Sequence, residues 1–214
     1  MSRLLEPYGM VLCEGKDDSA VLSAIASSRG INDLVFKEMK GTGNLVARLS
    51  QIQASPEFTR GTVRRLLITR DADDSWDAAW QSLRDSTQSV FGISFAEPGD
   101  WVQLGENCEI ALWVAPGSGR TGMIETLCLE VLREEEPDSF ECLDQFADCL
   151  LQKHSGTLHE KEKFAILSLI AQEKIPPRQR LSIRRAIKNI PINWKHPIFG
   201  ELSNLLQQTN PKTP

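Results

Sequence analysis

Short apolar runs alternate with segments of helical period along the first 130 residues. Gly9–Cys13 is brief and apolar, the pattern of a buried strand. Asp17–Ser28 follows, with Val21, Leu22, Ile25 and Ala26 on one helical face, Asp17 as a start signal and Gly30 as a stop. Leu34–Met39 predicts a second strand and Asn44–Gln53 a second helix, through Leu45, Val46, Leu49 and Ile52. Arg64–Thr69 predicts a third strand, and Asp74–Ser89 a helix with Trp76, Ala79, Trp80 and Leu83 on one side. Trp101–Leu104 and Glu109–Val114 predict two strands around a Gly-Glu-Asn hairpin turn, and Thr121–Leu132 returns to helix.

Strand–helix alternation of this kind predicts an α/β fold, with a mainly parallel sheet flanked by helices and an antiparallel addition at one side. After residue 136 only helical patterns remain, over Ser139–Gln152, Glu160–Gln172, Arg178–Lys188 and Pro197–Gln208, with Pro176-Pro177 separating the second from the third. The expected organisation is an α/β domain over residues 1–135, a helical C-terminal extension over 136–208 and a disordered tail over 209–214.

Charge changes this picture locally. The chain of 214 residues has 24 Lys+Arg against 29 Asp+Glu, a formal charge of -5, which excludes a basic nucleic-acid coat. Glu130–Asp148 is strongly acidic, whereas Lys174–Lys195 holds seven Lys/Arg and no acid. These stretches read as solvated helix faces, or Arg178, Arg180, Arg184, Arg185 and Lys188 read as a phosphate-contacting strip. No apolar run approaches the roughly 20 residues that cross a bilayer, and the N-terminal stretch lacks a secretory pattern. Five cysteines without a CxxC pair fit reduced thiols. The expectation is a cytoplasmic protein with no membrane contact.

The candidate chemistry lies where strands end. Glu14 closes the first strand and is followed by Gly15, Lys16 and Asp18. Asp71 closes the third strand, with Asp73 two residues on. A loop holding Gly117, Gly119, Arg120 and Gly122 leads to Glu125 on the next helix. In a parallel sheet, ligands gather beyond the carboxyl ends of the strands. Carboxylates crowded there repel one another unless they are protonated or bridged by a cation, and Mg²⁺ takes such hard oxygen ligands. Each acid also has a plainer reading: Asp18 on a helix dipole, Asp71 and Asp73 as helix caps, Glu125 on an exposed helix face. Lys16, Lys40 in the Lys-Gly-Thr-Gly segment, and Arg120 are the candidate phosphate contacts.

The order Glu-Gly after strand one, Asp-Ala-Asp after strand three and a glycine loop with Glu125 resembles the Toprim superfamily. Asp18 and Glu125 match extra acids of the branch containing the OLD-type nucleases. The segments KEKFAILSLIAQ and NWKHPIFGELSNLL are similar to the ending of small stand-alone Toprim-like proteins of unknown function. The resemblance implies a Toprim-like, Rossmann-like fold and Mg²⁺-dependent phosphodiester cleavage on nucleic acid, DNA or RNA, with Mn²⁺ as a substitute. It implies Glu14 as metal ligand or general acid/base, Asp71 and Asp73 as catalytic metal ligands, and Asp18 and Glu125 completing a second metal position. Tyr8, the single tyrosine, precedes strand one, so the nucleophile of a topoisomerase is absent; no GxxxxGK[ST] motif marks an ATPase. The alternative function is a non-catalytic module that binds metal, nucleotide or a partner protein, the last through the helical C-terminus.

Overall fold

In a computed structural model describing residues 6–39, 45–135, 137–153 and 192–211, the strand patterns assemble into one five-stranded sheet. The strands are β1 (Tyr8–Cys13), β2 (Leu34–Glu38), β3 (Val63–Asp71), β4 (Val102–Leu104) and β5 (Cys108–Ala115), in the order β2-β1-β3-β5-β4. The first four in that order run parallel, and β4 pairs antiparallel with β5 at one edge. The α/β fold with a mainly parallel sheet is therefore the observed one.

The helices are α1 (Lys16–Ser28), α2 (Leu45–Gln53), α3 (Pro56–Thr59), α4 (Trp76–Phe91), α5 (Ile124–Glu135), α6 (Pro137–Lys153) and, after a 3₁₀ turn at Pro197–Phe199, α7 (Gly200–Thr209). The four-residue α3 has no apolar period to betray it. Its local signal is the pair Ser55-Pro56: the serine hydroxyl caps the Phe58 N–H at 3.3 Å and proline occupies the first helical position.

Both sheet faces are buried, as parallel strands require. Val11, Cys13, Leu67, Ala111, Trp113 and Ala115 form one core with α1, α5 and α7. Met10, Leu12, Leu66, Ile68, Ile110, Leu112 and Val114 form the other with α2 and α4. Successive strand residues thus enter opposite cores, which explains why β1, β3 and β5 read as continuous apolar runs rather than alternating ones.

The last helix closes the first core. Phe199, Leu202, Leu205 and Leu206 are buried in it. Gly9 makes this possible, because a Cβ there would lie 2.0 Å from the Thr209 carbonyl oxygen. Polar bonds fix both ends of α7: the Trp113 indole N–H donates to Glu201 at 2.9 Å, and the Trp101 indole N–H donates to Gln208 at 2.7 Å. Trp113 is therefore a core residue rather than an open stacking surface.

Among the described residues, no helix is long and apolar enough to cross a membrane. The predicted helices at Glu160–Gln172 and Arg178–Lys188, the basic strip within the latter, Lys40 with its glycine segment, and residues 212–214 lie outside the described residues, whereas Thr209, the first residue of the expected tail, is the buried end of α7.

Candidate metal centre

Three crossovers bring the acids together. Asp18 sits in the first turn of α1, and its carboxylate accepts the Gly15 backbone N–H at 2.6 Å. Asp71 is the last residue of β3, in register with Ala115 of β5. Its Oδ1 accepts the Ile124 backbone N–H at 3.0 Å, so β3 places an anion against the start of α5. Glu125 lies in that same first turn and is 3% exposed. The plain reading of Glu125 as an exposed helix residue therefore fails. Asp18, Asp71 and Glu125 each offer one oxygen to a group whose members all lie within 4.8 Å of one another.

The glycine loop is built to hold this geometry. Asp73 and Gly122 form an isolated antiparallel bridge, exchanging backbone hydrogen bonds of 2.9 Å in both directions. Gly122 takes φ 121°, and a Cβ there would stand 2.4 Å from the Thr126 hydroxyl oxygen. That hydroxyl accepts the Met123 N–H at 2.9 Å and so caps the start of α5. A side chain at 122 would disturb the bridge, the cap and the approach of Glu125 together. The cap of α4, by contrast, is Ser75, which accepts the Ala78 N–H at 3.2 Å. Asp71 and Asp73 are thus not spent on capping α4.

Glu14 takes a different position. Its Oε1 lies 3.3 Å from the Arg70 Nε, with both side chains largely buried. Neither atom makes a hydrogen bond, so the pair is held by charge rather than by an aligned N–H···O contact. Arg70 is anchored separately, its Nη1 donating to the Ser82 hydroxyl of α4 at 2.6 Å. A small cleft is lined by Glu14, Asp18, Thr69, Arg70, Asp71, Trp113, Ala115 and Ile124. Sequence reasoning missed Arg70. The parallel register carries the signal: β1 and β3 pair Leu12 with Ile68, and two residues further on Glu14 stands abreast of Arg70.

Burial and mutual repulsion set the electrostatics. Asp71 is held well above the usual carboxylate range, first by desolvation and then by Asp18, Glu125 and Glu14, against the Ile124 N–H. Burial raises Glu14 to about 7; Arg70 opposes this, while Asp18 and Asp73 add to it. The Cys13 thiol beneath them is also pushed up by burial, which keeps it an inert packing group. Asp71 and Glu14 are thus the two acids whose charged forms burial and repulsion disfavour.

Of the sequence-predicted residues, Asp18, Asp71 and Glu125 form the close group, while Glu14 and Asp73 lie outside it; Glu14 acts on Asp71 through charge, and Asp73 acts on Glu14. Lys16 is exposed at the start of α1. Arg120 is bonded to Glu130 of α5.

A sequence profile for a family described as "Protein of unknown function (DUF3226)" matches residues 8–210. The chain belongs to the DUF3226 family. No curated protein matches it. The DUF3226 fold is loosely similar to the C-terminal region of the Xanthomonas campestris pv. campestris OLD protein, with 16% identity, a TM-score of 0.44 and coverage of 94% of this chain and 92% of that one. The C-terminal region of the Burkholderia pseudomallei OLD protein is similar at 14% identity, a TM-score of 0.38 and coverage of 97% and 92%.

Proposed function

We propose that this DUF3226 protein is a Toprim-like, Mg²⁺-dependent nuclease that cleaves phosphodiester bonds in nucleic acid. One observation supports this above the others: Asp18, Asp71 and Glu125 converge within 4.8 Å at the carboxyl end of a parallel sheet. Three carboxyl groups so placed fit a hard divalent cation, because a bound ion removes the repulsion that otherwise holds protons on them. In this reading Asp18, Asp71 and Glu125 hold Mg²⁺, or Mn²⁺ in its place, and Asp73 contributes to a second position. Bound Mg²⁺ would supply charge neutralisation and lower the pKa of water.

Glu14 is the proton-transfer group of this proposal. A carboxyl group at about 7 exchanges protons readily at neutral pH, as an acid/base catalyst requires. Lys16, Lys40 and Arg120 are the proposed phosphate contacts, with Arg120 leaving Glu130 to serve. The nucleic acid, DNA or RNA, and a cytoplasmic location belong to the same proposal.

The Asp71→Ala/Asp73→Ala double variant is expected to lose Mg²⁺-dependent cleavage of single- and double-stranded substrates. Cleavage at the wild-type rate would defeat the assignment. The pairing of Arg120 with Glu130 favours a second reading, a metal- or partner-binding module without catalysis. A thermal shift on adding Mg²⁺ or Mn²⁺ with no cleavage of DNA or RNA is the result that would select it.

A further inference from the structure

The Glu14–Arg70 pair sits beside the acid group without joining it. Leu12 and Ile68 enter the core under α2 and α4, whereas Val11 and Leu67 enter the core under α1 and α5. Continuing the alternation sends Glu14 and Arg70 toward α4 and Asp71 toward α5. The Ser82 bond agrees, since Ser82 belongs to α4. Arg70 is the one basic residue among the described residues lining the cleft. Its side chain is 18% exposed and that of Glu14 is 16% exposed, so their mutual attraction is poorly screened.

We propose that Arg70 is a positioning residue that holds Glu14 out of the metal's ligand set. The proposal rests on the metal reading above. Glu14 lines the same cleft as Asp18 and Asp71, so without a restraint it is free to join them as a further ligand. A guanidinium prevents this at a fixed place. It is always charged, it is tethered to α4 by Ser82, and its planar shape suits a carboxylate neighbour. The long, unaligned contact of 3.3 Å is what a restraint needs: it fixes position while leaving the Glu14 Oε1 without a hydrogen bond, beside the bond the carboxylate takes from the Asp71 backbone.

The test is metal binding by the full chain, with Mn²⁺ affinity from calorimetry and coordinated water counted from Tb³⁺ luminescence lifetimes. Arg70→Ala is expected to tighten Mn²⁺ binding on the order of fivefold, as an added carboxylate ligand does, and to remove about one coordinated water. The Glu14→Gln/Arg70→Ala double variant, which deletes both charges, is expected to keep an affinity within about threefold of wild type and the wild-type water count. A tenfold weaker double variant would mean that Glu14 already ligates the ion, and would overturn the proposal. An unchanged water count in Arg70→Ala would overturn it too, since Arg70 would then act as bulk charge alone. If Arg70→Ala does not fold, Arg70→Gln makes the same measurement. Wild-type protein that binds neither ion at millimolar concentration would sink the metal reading itself, a result distinct from either of these.

Discussion

Asp71 joins more of the site than any other residue. It ends β3, takes the Ile124 N–H and lies within 4.8 Å of the oxygens of Asp18 and Glu125. Its raised proton affinity and that of Glu14 have a consequence for stability. A carboxyl whose folded pKa is raised holds its proton in the native state after the unfolded chain has lost it. Its contribution is then full below the unfolded value and is lost as pH rises through the folded one. For Glu14 that window runs from 4.5 to about 7, and Asp71 acts in the same direction. Metal-free protein in a chelating buffer should therefore melt at lower temperature at pH 8 than at pH 5, and millimolar Mg²⁺ should shrink the difference. A melting temperature that climbs with pH in the chelating buffer would contradict the assignment of these acids. Gly122 is the second residue whose identity is dictated by its surroundings. Gly122→Ala forces a side chain into positive φ against Thr126, at a cost of about 1–3 kcal/mol in urea unfolding.

Each acid of the site comes from the junction of a strand with the helix that follows it. β1 leads to α1 and supplies Glu14 and Asp18; β3 leads to α4 and supplies Asp71; β5 leads through the glycine loop to α5 and supplies Glu125. Parallel strands bring these junctions to one rim because every crossover returns the chain to the same starting edge. The final helix works at a different place, covering the core under α1 and α5. Leu206 is fully buried there, so Leu206→Ala should destabilise the protein by about 2–5 kcal/mol in denaturant titration. A change below about 0.5 kcal/mol would show that α7 packs weakly, since that is the range of surface substitutions.

At the scale of the whole molecule, a cation that binds the native state alone stabilises it by mass action, by about 2.7 kcal/mol at a hundredfold excess over Kd. A rise in melting temperature with Mg²⁺ or Mn²⁺, absent in Asp71→Ala/Asp73→Ala, is the expected signature. The strands, the longer helices and the α/β class were legible along the chain because they rest on local periodicity: apolar runs such as Met10–Cys13 and helical faces such as Leu45, Leu49 and Ile52. The placing of acids at strand ends was legible for the same reason. The strand order β2-β1-β3-β5-β4 was not, since no neighbour in sequence records which strand will lie beside which. Nor was the division of the acids. Glu14 and Asp18 are four residues apart, yet Asp18 meets Asp71 and Glu125 while Glu14 meets Arg70. Local pattern alone placed the candidate acids at the ends of strands and the starts of helices. Tertiary structure decided which of them touch, because register and the alternating sides of a pleated strand bring together residues that lie some 50 or more positions apart along the chain.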